Sequence, residues 1–242
     1  MDFIEGEVLF FNKPLDWTSF DLVNKFRYKL SRKLMVKKIK VGHAGTLDPK
    51  ATGVLIICTG KATRRIDEFQ NQTKEYVATL KLGATTPSYD LEKEVNQTFP
   101  FEHITSEKVE KVLSTFVGTI EQVPPVFSAC KIEGKRAYEI ARKGEEVPLR
   151  AKKLIINEIE LVEYALPVIK IRVVCSKGTY IRALARDIGA ALDSGAHLIA
   201  LERTRIGQVT LDQCIHPDDI DTLLENSSIV YSPIVQDSRF NK

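Results

Sequence analysis

The stretch of this sequence best suited to chemistry is Gly42-His43-Ala44-Gly45-Thr46-Leu47-Asp48-Pro49-Lys50-Ala51-Thr52-Gly53. Its three glycines permit close backbone approach and unusual φ values, while Pro49 drives Asp48 out of the helical region toward extended backbone. The carboxylate is thus presented from a shaped loop, where nucleophilic attack or proton transfer is open to it. An isolated Asp-Pro is most often a plain turn. Here the density of glycines, and the buried strand that the following GVLIIC predicts, favour a functional loop held by a rigid element.

A second segment, Ser176-Lys177-Gly178-Thr179-Tyr180-Ile181-Arg182, ends a strand and opens a helix. Arg182 then falls in a first helical turn, where the macrodipole disfavours a cation. Either the side chain bends into solvent or a buried carboxylate compensates it. Other chemistries fail on spacing. Gly53, Gly60 and Lys61 only superficially suggest a phosphate loop, because six residues separate the glycines and Ala62 follows the lysine. Cys58, Cys130, Cys175 and Cys214 form no CxxC pair, and His43, His103, His197 and His216 are too scattered for a metal site. No metal, disulfide or nucleotide cofactor is therefore expected, and a reducing, cytoplasmic setting is.

With 35 basic and 32 acidic residues, the net charge of +3 does not by itself announce a nucleic-acid partner. Its distribution does. Between Asp21 and Asp48 lie Lys25, Arg27, Lys29, Arg32, Lys33, Lys37, Lys38 and Lys40 with no acid among them. Such a run is commonly a solvated helix face, but without a compensating acid it favours a phosphate backbone, with Lys37, Lys38 and Lys40 as contacts. The acidic start MDFIEGEVLFFNKP lacks the basic region of a signal peptide, and no apolar stretch is long enough to span a membrane.

The elements that must position these groups follow from periodicity. Strands are predicted at Val8 to Phe11, at Gly53 to Cys58 in the centre of a sheet, and at Lys74 to Leu82, where Tyr76 begins a core-facing row. Further strands run from Lys152 to Tyr164 and from Leu166 to Cys175, joined at Pro167, and Ala129 to Ile132 with the following EGKR reads as a hairpin. Helices are predicted from Thr18 to Ser31, with Thr18 and Asp21 as a capping box, from Ser106 to Phe116 with Gly118 as the stop, and after Gly178. Arg205 to Leu211 should add a strand and Pro217 to Leu224 a short helix. The mixed order predicts an α+β fold around a largely antiparallel sheet.

The motifs together resemble the bacterial tRNA pseudouridine-55 synthases, the TruB-type uridine isomerases that act on the T loop of tRNA. The likeness rests on Lys13-Pro14 with Thr18-Ser19, GHAGTLDPKATGVL, KEYV at Lys74, Leu82-Gly83 leading to Asp90, VPPVFSACKIEGKRAYEIAR, and SKGTYIR. It runs from about Gly6 to past Leu201. The resemblance implies that Asp48 is the catalytic aspartate, Tyr76 the tyrosine that stacks on the uracil, and Arg182 the arginine that pairs with Asp48. It makes Leu201 the apolar group beneath the base, His43 the residue that enters the T loop, and Asp90 a second acid near the arginine. Lys177 and Tyr180 are assigned with their motif to RNA binding, and Lys13, Pro14, Gly42 and Gly45 to the framework of the site. Two departures stand out: Asp16 replaces a glycine usual in the Lys-Pro segment, and LEKEV after Asp90 lacks the family's common glycine.

The implied fold is a pseudouridine synthase domain covering residues 1–242, in which residues 207–242 form the domain's tail and leave no room for a complete PUA domain. The implied partner is the T loop and stem of tRNA, the working unit a monomer. The implied reaction breaks N1–C1′ of a flipped uridine and forms C5–C1′, gaining no atom and needing no cofactor. Asp48 could attack C1′ or C6, or act as a base at C2′. Two rivals are a catalytically silent RNA-binding or RNA-folding module, and a metal-dependent hydrolase for which the motifs supply only Asp90 beside Asp48.

Overall fold

The computed structural model describes residues 1–128, 131–132, 135–136 and 148–227. Cys130, the start of the Ala129 to Ile132 arm, and residues 228–242 of the tail lie outside them.

One mixed sheet organises the chain. Its path is β1 (Val8–Lys13), β3 (Ala51–Thr59), β12 (Ala196–Ile206), β4 (Lys74–Leu82), β11 (Val168–Cys175), β10 (Lys152–Ala165) and β7 (Gly118–Gln122), with β2 (Val41–His43) on β3 and β13 (Val209–Thr210) on β12. Pairings are antiparallel except β12 with β3, which is parallel. Two small hairpins stand apart: β5 (Ala84–Thr85) with β6 (Gln97–Thr98), and β8 (Lys131–Ile132) with β9 (Lys135–Arg136).

Helix α1 (Ser19–Leu34) begins at the expected Thr18/Asp21 capping box, and α5 (Ile220–Asn226) packs beside it after a 3-10 turn at Pro217–Asp219. Helix α2 (Ile66–Gln70) continues a 3-10 turn at Gly60–Arg65. Helices α3 (Ser106–Ser114) and α4 (Ile181–Ala191) cover the row Tyr76, Ala78, Leu80 and Leu82 that alternation assigns to the core. Leu55 and Ile57 of β3 face the α1 side, while Val54, Ile56 and Cys58 face a separate cluster, so burial on both faces holds as expected.

Four expectations need correction. Strand β3 lies second from the sheet edge, and β4 is central; β3 is covered on both faces by helices and connections, not by a central position. Helix α3 ends at Ser114 with Thr115 as its C-cap, and Gly118 opens β7 instead of stopping the helix. Helix α1 runs on to Leu34, where Met35 takes a left-handed conformation. The strand expected from Arg205 to Leu211 is the end of β12 turning at Gly207 into the short β13. The eleven residues of β12 escaped detection because bulges at Leu198/Ala200 and Arg203/Arg205 break the two-residue period. Asp16, standing in for glycine, has φ of 64°, the left-handed conformation that Asp tolerates better than most residues.

Gly53 marks the tightest join. Its φ is 109°, and a Cβ built there would lie 2.3 Å from the Arg203 carbonyl oxygen and 2.7 Å from the Arg203 nitrogen, across the parallel β3–β12 pairing. Gly53→Ala is accordingly expected to combine backbone strain with a backbone clash and to lower unfolding free energy by about 2–4 kcal/mol. Urea unfolding checks this; an unchanged midpoint would mean that the two strands can separate without loss.

Candidate active site

The Gly45–Lys50 loop joins β2 to β3, and its main chain is held by side chains from three other elements. Ser19 Oγ at the start of α1 accepts from the Leu47 N–H at 2.8 Å and donates to the Leu47 carbonyl at 3.0 Å. Arg203 of β12, fully buried, donates to the carbonyls of Val54 at 2.8 Å, Gly45 at 3.2 Å and Thr46 at 3.4 Å. Lys13 of β1, equally buried, donates from Nζ to Pro14 at 2.8 Å and Trp17 at 2.6 Å and reaches within 3.5 Å of Pro49. The exposed Asp16–Lys50 ion pair at 2.7 Å closes the outer side.

Held in this way, Asp48 meets Arg182. The Nε of Arg182 donates to Asp48 Oδ2 at 2.8 Å and lies 3.5 Å from Asp90 Oδ2, and its Nη1 donates to the Ser88 carbonyl at 3.3 Å. The Arg182 and Asp90 side chains are each 6% exposed against 35% for Asp48, so a buried guanidinium stands behind a carboxylate that still reaches the cleft. Asp90 is anchored by the Glu92 N–H at 3.0 Å on Oδ1. The compensating acid that the Arg182 position called for is thus present twice over. Gln122 of β7 fixes where α4 begins, accepting from the Tyr180 N–H at 2.9 Å and donating to the Tyr180 carbonyl at 3.2 Å.

A cleft of about 680 Å³ opens in front of the pair, bounded by the Gly45–Asp48 loop, Tyr76, Leu201 and the Ser176–Arg182 segment. That volume suits a nucleoside-sized ligand. Leu201 lies in register with Ala51 on one side and Ala78 on the other, and Arg203 with Gly53 and Tyr76, so the β12 register sets the apolar floor. Burial pushes the Tyr76 phenol above its ordinary range, with the neighbouring Arg203 charge opposing it. Lys177 at the rim donates to Asn71 Oδ1 at 2.5 Å. Lys74 also lines the cleft and is buried, donating to the carbonyls of Gln70 at 2.5 Å and Gln72 at 2.6 Å, and burial brings its pKa down to about 8.

The structure brings Asp48, Tyr76, Arg182, Leu201, Lys177 and Tyr180 to one cleft and puts Asp90 directly behind it. Lys13 donates to the Pro14 carbonyl at the base of the loop, Gly45 lies within the loop, and Gly42 of β2 pairs with Cys58 of β3. His43 is set back on β2, half-buried, its imidazole held below the usual pKa by burial and by the Arg203 charge, and so neutral at pH 7. Lys37, Lys38 and Lys40 do not line the cleft. The absence of acids from the basic run is a property of sequence alone, because Lys25 pairs with Asp218 at 3.3 Å and Lys29 with Asp221 at 2.5 Å. Arg203, Ser19, Lys74 and Gln122 were not singled out by sequence. Ser19 and Lys74 sit inside quoted motifs, whereas Arg203 and Gln122 carry no local signal. Among the described residues no three His, Cys, Asp or Glu side chains come together as metal ligands, and no helix is long and apolar enough to cross a membrane.

Comparison with known proteins matches residues 32–181 to the TruB family pseudouridylate synthase N-terminal domain. The chain is 77% identical over 229 residues to tRNA pseudouridine synthase B of Parabacteroides distasonis, covering 95% of this chain and 97% of that one. It is 69% identical to the protein of the same name from Phocaeicola vulgatus, with the same coverage. Among solved structures it is similar to a chain of a Cbf5-Nop10-Gar1 complex, with a TM-score of 0.68 and 32% identity over 91% of this chain and 55% of that one. A chain of an H/ACA RNP bound to a substrate RNA containing 2′-deoxyuridine gives 0.64 and 29% over 90% and 53%. The chain spans about half the length of these solved relatives.

The buried Lys13 offers a check on how dry the support of the loop is. Burial lowers its pKa from 10.5 to about 8. Below pH 8 both folded and unfolded chains keep the proton and the cost of burial is constant; between 8 and 10.5 only the unfolded chain keeps it, so this group makes stability rise with pH. Between pH 7 and pH 9.5, Lys13→Met should therefore lack a gain of about 2 kcal/mol that the parent shows in urea unfolding. Identical pH profiles would mean that the ammonium is hydrated.

Proposed function

The chain belongs to the TruB family of pseudouridylate synthases and isomerises uridine to pseudouridine in tRNA, and we propose that it does so at position 55 of the T loop with Asp48 as the reacting group. The single observation that carries this reading is the 2.8 Å Arg182–Asp48 contact at the wall of the cleft. An adjacent guanidinium favours the ionised carboxylate that each of the three candidate roles requires: attack on C1′, attack on C6, or proton removal at C2′.

The target uridine leaves its stack, at a cost of a few kcal/mol that is smaller in a loop than in a duplex, and lies over Leu201 with Tyr76 against its face. N1–C1′ breaks, the uracil turns within the cleft, C5–C1′ forms, the C5 proton is lost and N1 gains one, so no atom is added or removed. The raised pKa of Tyr76 supports a stacking role for its ring and makes its phenol a reluctant base for the C5 proton. A neutral His43 suits insertion among the bases of the T loop, where a charged imidazole would first have to be desolvated.

The continuous sheet supports treating residues 1–242 as a single catalytic domain, and all the assigned groups come from one chain, as a working monomer requires. A cytoplasmic setting accords with a tRNA substrate. The rival reading of a silent RNA-binding fold is disfavoured by the intact Asp48, Arg182 and Tyr76 constellation. The hydrolase reading is disfavoured by the engagement of both nearby carboxylates with one guanidinium.

Incubation with unmodified tRNA, followed by carbodiimide adduct formation and primer extension, should give a stop at position 55. Asp48→Asn should abolish this stop, with a rate loss of at least about 10³-fold while tRNA affinity stays within a few-fold. Near-normal turnover would remove Asp48 from the mechanism. Arg182→Met should also lose most single-turnover activity because it leaves a carboxylate unpaired, whereas Arg182→Lys, which keeps charge but not the planar fork, should fall between. A Met variant with the parent rate would show that Arg182 does not serve Asp48.

A further inference from the structure

A second depression, of about 610 Å³, lies between the α1–β2 connection and the 3-10 turn at Gly60–Arg65. Its floor is apolar, with Ile4, Val36 and Ile39 beside Met35, which is 84% exposed. Its rim is basic. Lys61 is paired with Glu5 at 2.7 Å, but Lys37, Lys38, Lys40 and Arg64 are exposed and no acid pairs with them among the described residues. The basic run is therefore divided by the fold. Lys25 and Lys29 face α5 and are spent on Asp218 and Asp221, while the lysines beyond the end of α1 remain unneutralised at the rim of the groove.

One helical segment reaches from the groove to the catalytic cleft. Arg64, midway along the helical segment that ends in α2, lines one and Gln70, at its end, lines the other, a separation of about 10 Å. Acids on that segment are Asp67 and Glu68, and Glu68 is paired with Arg65 at 3.0 Å. Along β3 the distance from the Asp48 end to the groove is larger. Ala51 accompanies the Asp48 loop and the Gly60 N–H donates to the Lys40 carbonyl at 2.9 Å, so nine strand steps, about 30 Å, separate them. That is roughly nine stacked steps of one nucleic-acid strand at ~3.4 Å each, more than a hairpin loop spans.

We propose that this groove is a second tRNA contact, holding the phosphate backbone of the substrate outside the arm whose uridine enters the cleft. The inference rests on the reading of the chain as a tRNA uridine isomerase. Four unpaired cations around a polyanion release counterions on binding, and the apolar floor takes the stems of the same lysines and the edges of ribose. A partner of protein chemistry would rest on the floor and leave RNA kinetics independent of the rim.

The test compares full-length unmodified tRNA with a hairpin containing only its T arm, using a variant combining Lys37→Ala, Lys38→Ala, Lys40→Ala and Arg64→Ala, and a control with Lys37→Arg, Lys38→Arg and Lys40→Arg. On full-length tRNA the Ala variant should show KM raised about tenfold or more, and the slope of log affinity against log salt flattened by about 3. On the hairpin its KM and single-turnover rate should match the parent, which also shows that the variant folds, and the Arg control should behave as the parent on both. An unchanged salt slope on full-length tRNA overturns the proposal, as does an equal loss on the hairpin, which would assign the groove to the reacting arm. Failure of the parent to modify either RNA would instead overturn the functional reading on which the proposal rests.

Discussion

Buried cations satisfying backbone carbonyls are the interaction on which the rest of this structure depends. A loop rich in glycine turns its main-chain oxygens inward, and an unpaired buried carbonyl costs free energy comparable to a lost hydrogen bond. Arg203 answers two of these oxygens, those of Gly45 and Thr46, together with the Val54 carbonyl of β3, and Lys13 ties the Pro14 and Trp17 carbonyls before α1 to the Pro49 carbonyl of the loop, 3.5 Å away. No acidic side chain pairs with Arg203 among the described residues, so carbonyl dipoles take the place of a counterion. Burial lowers the pKa of His43, Lys13 and Lys74, and the same positive charge adds to each shift. A device that fixes a loop thereby also sets the field in the cleft beside it.

Within that field, Arg182 between Asp48 and Asp90 is better understood as a device for position than for stability. Removing three charges from water costs about as much as their attraction returns, so such clusters contribute little net folding energy. What they supply is orientation: the Ser88 carbonyl takes Nη1, and Nε lies between the two carboxylates, bonded to Asp48 and 3.5 Å from Asp90. The first turn of α4, electrostatically poor for a cation, becomes acceptable because two carboxylates lie in front of it. Gln122 matters for the same reason, since a shift in where α4 begins would move Arg182 with it.

The sequence made most of the outer architecture legible because it is written in local chemistry. The capping box before α1, the alternation in β4 and the continuous apolar run of β3 each predict an element whose bounds the structure nearly reproduces. For Arg182 local chemistry left two alternatives, solvent or a compensating acid, and the fold supplies the acid. What could not be read is non-local. Strand β12 carries bulges and charged residues that erase its period, and the burial of Arg203 has no signature in its neighbours. Nor could the run from Lys25 to Lys40 reveal that two of its members are neutralised by acids almost two hundred positions away.

The place of β12 in the sheet bears on how the site comes into being. Strands β3 and β4 are neighbours in the chain, yet β12 is inserted between them and pairs with both. The loop bearing Asp48 precedes β3, Tyr76 lies in β4, and the strand that joins them carries Leu201 and Arg203, more than a hundred residues later in synthesis. Pairings of such long sequence separation form slowly, because loop closure must be met before the contacts return anything. A growing chain therefore has the acid, the aromatic and Lys13 early but no floor between them and no Arg203 on the loop carbonyls. Catalytic geometry becomes attainable only when residues near Ile206 have emerged and inserted, which makes the active site one of the last parts of the molecule to exist.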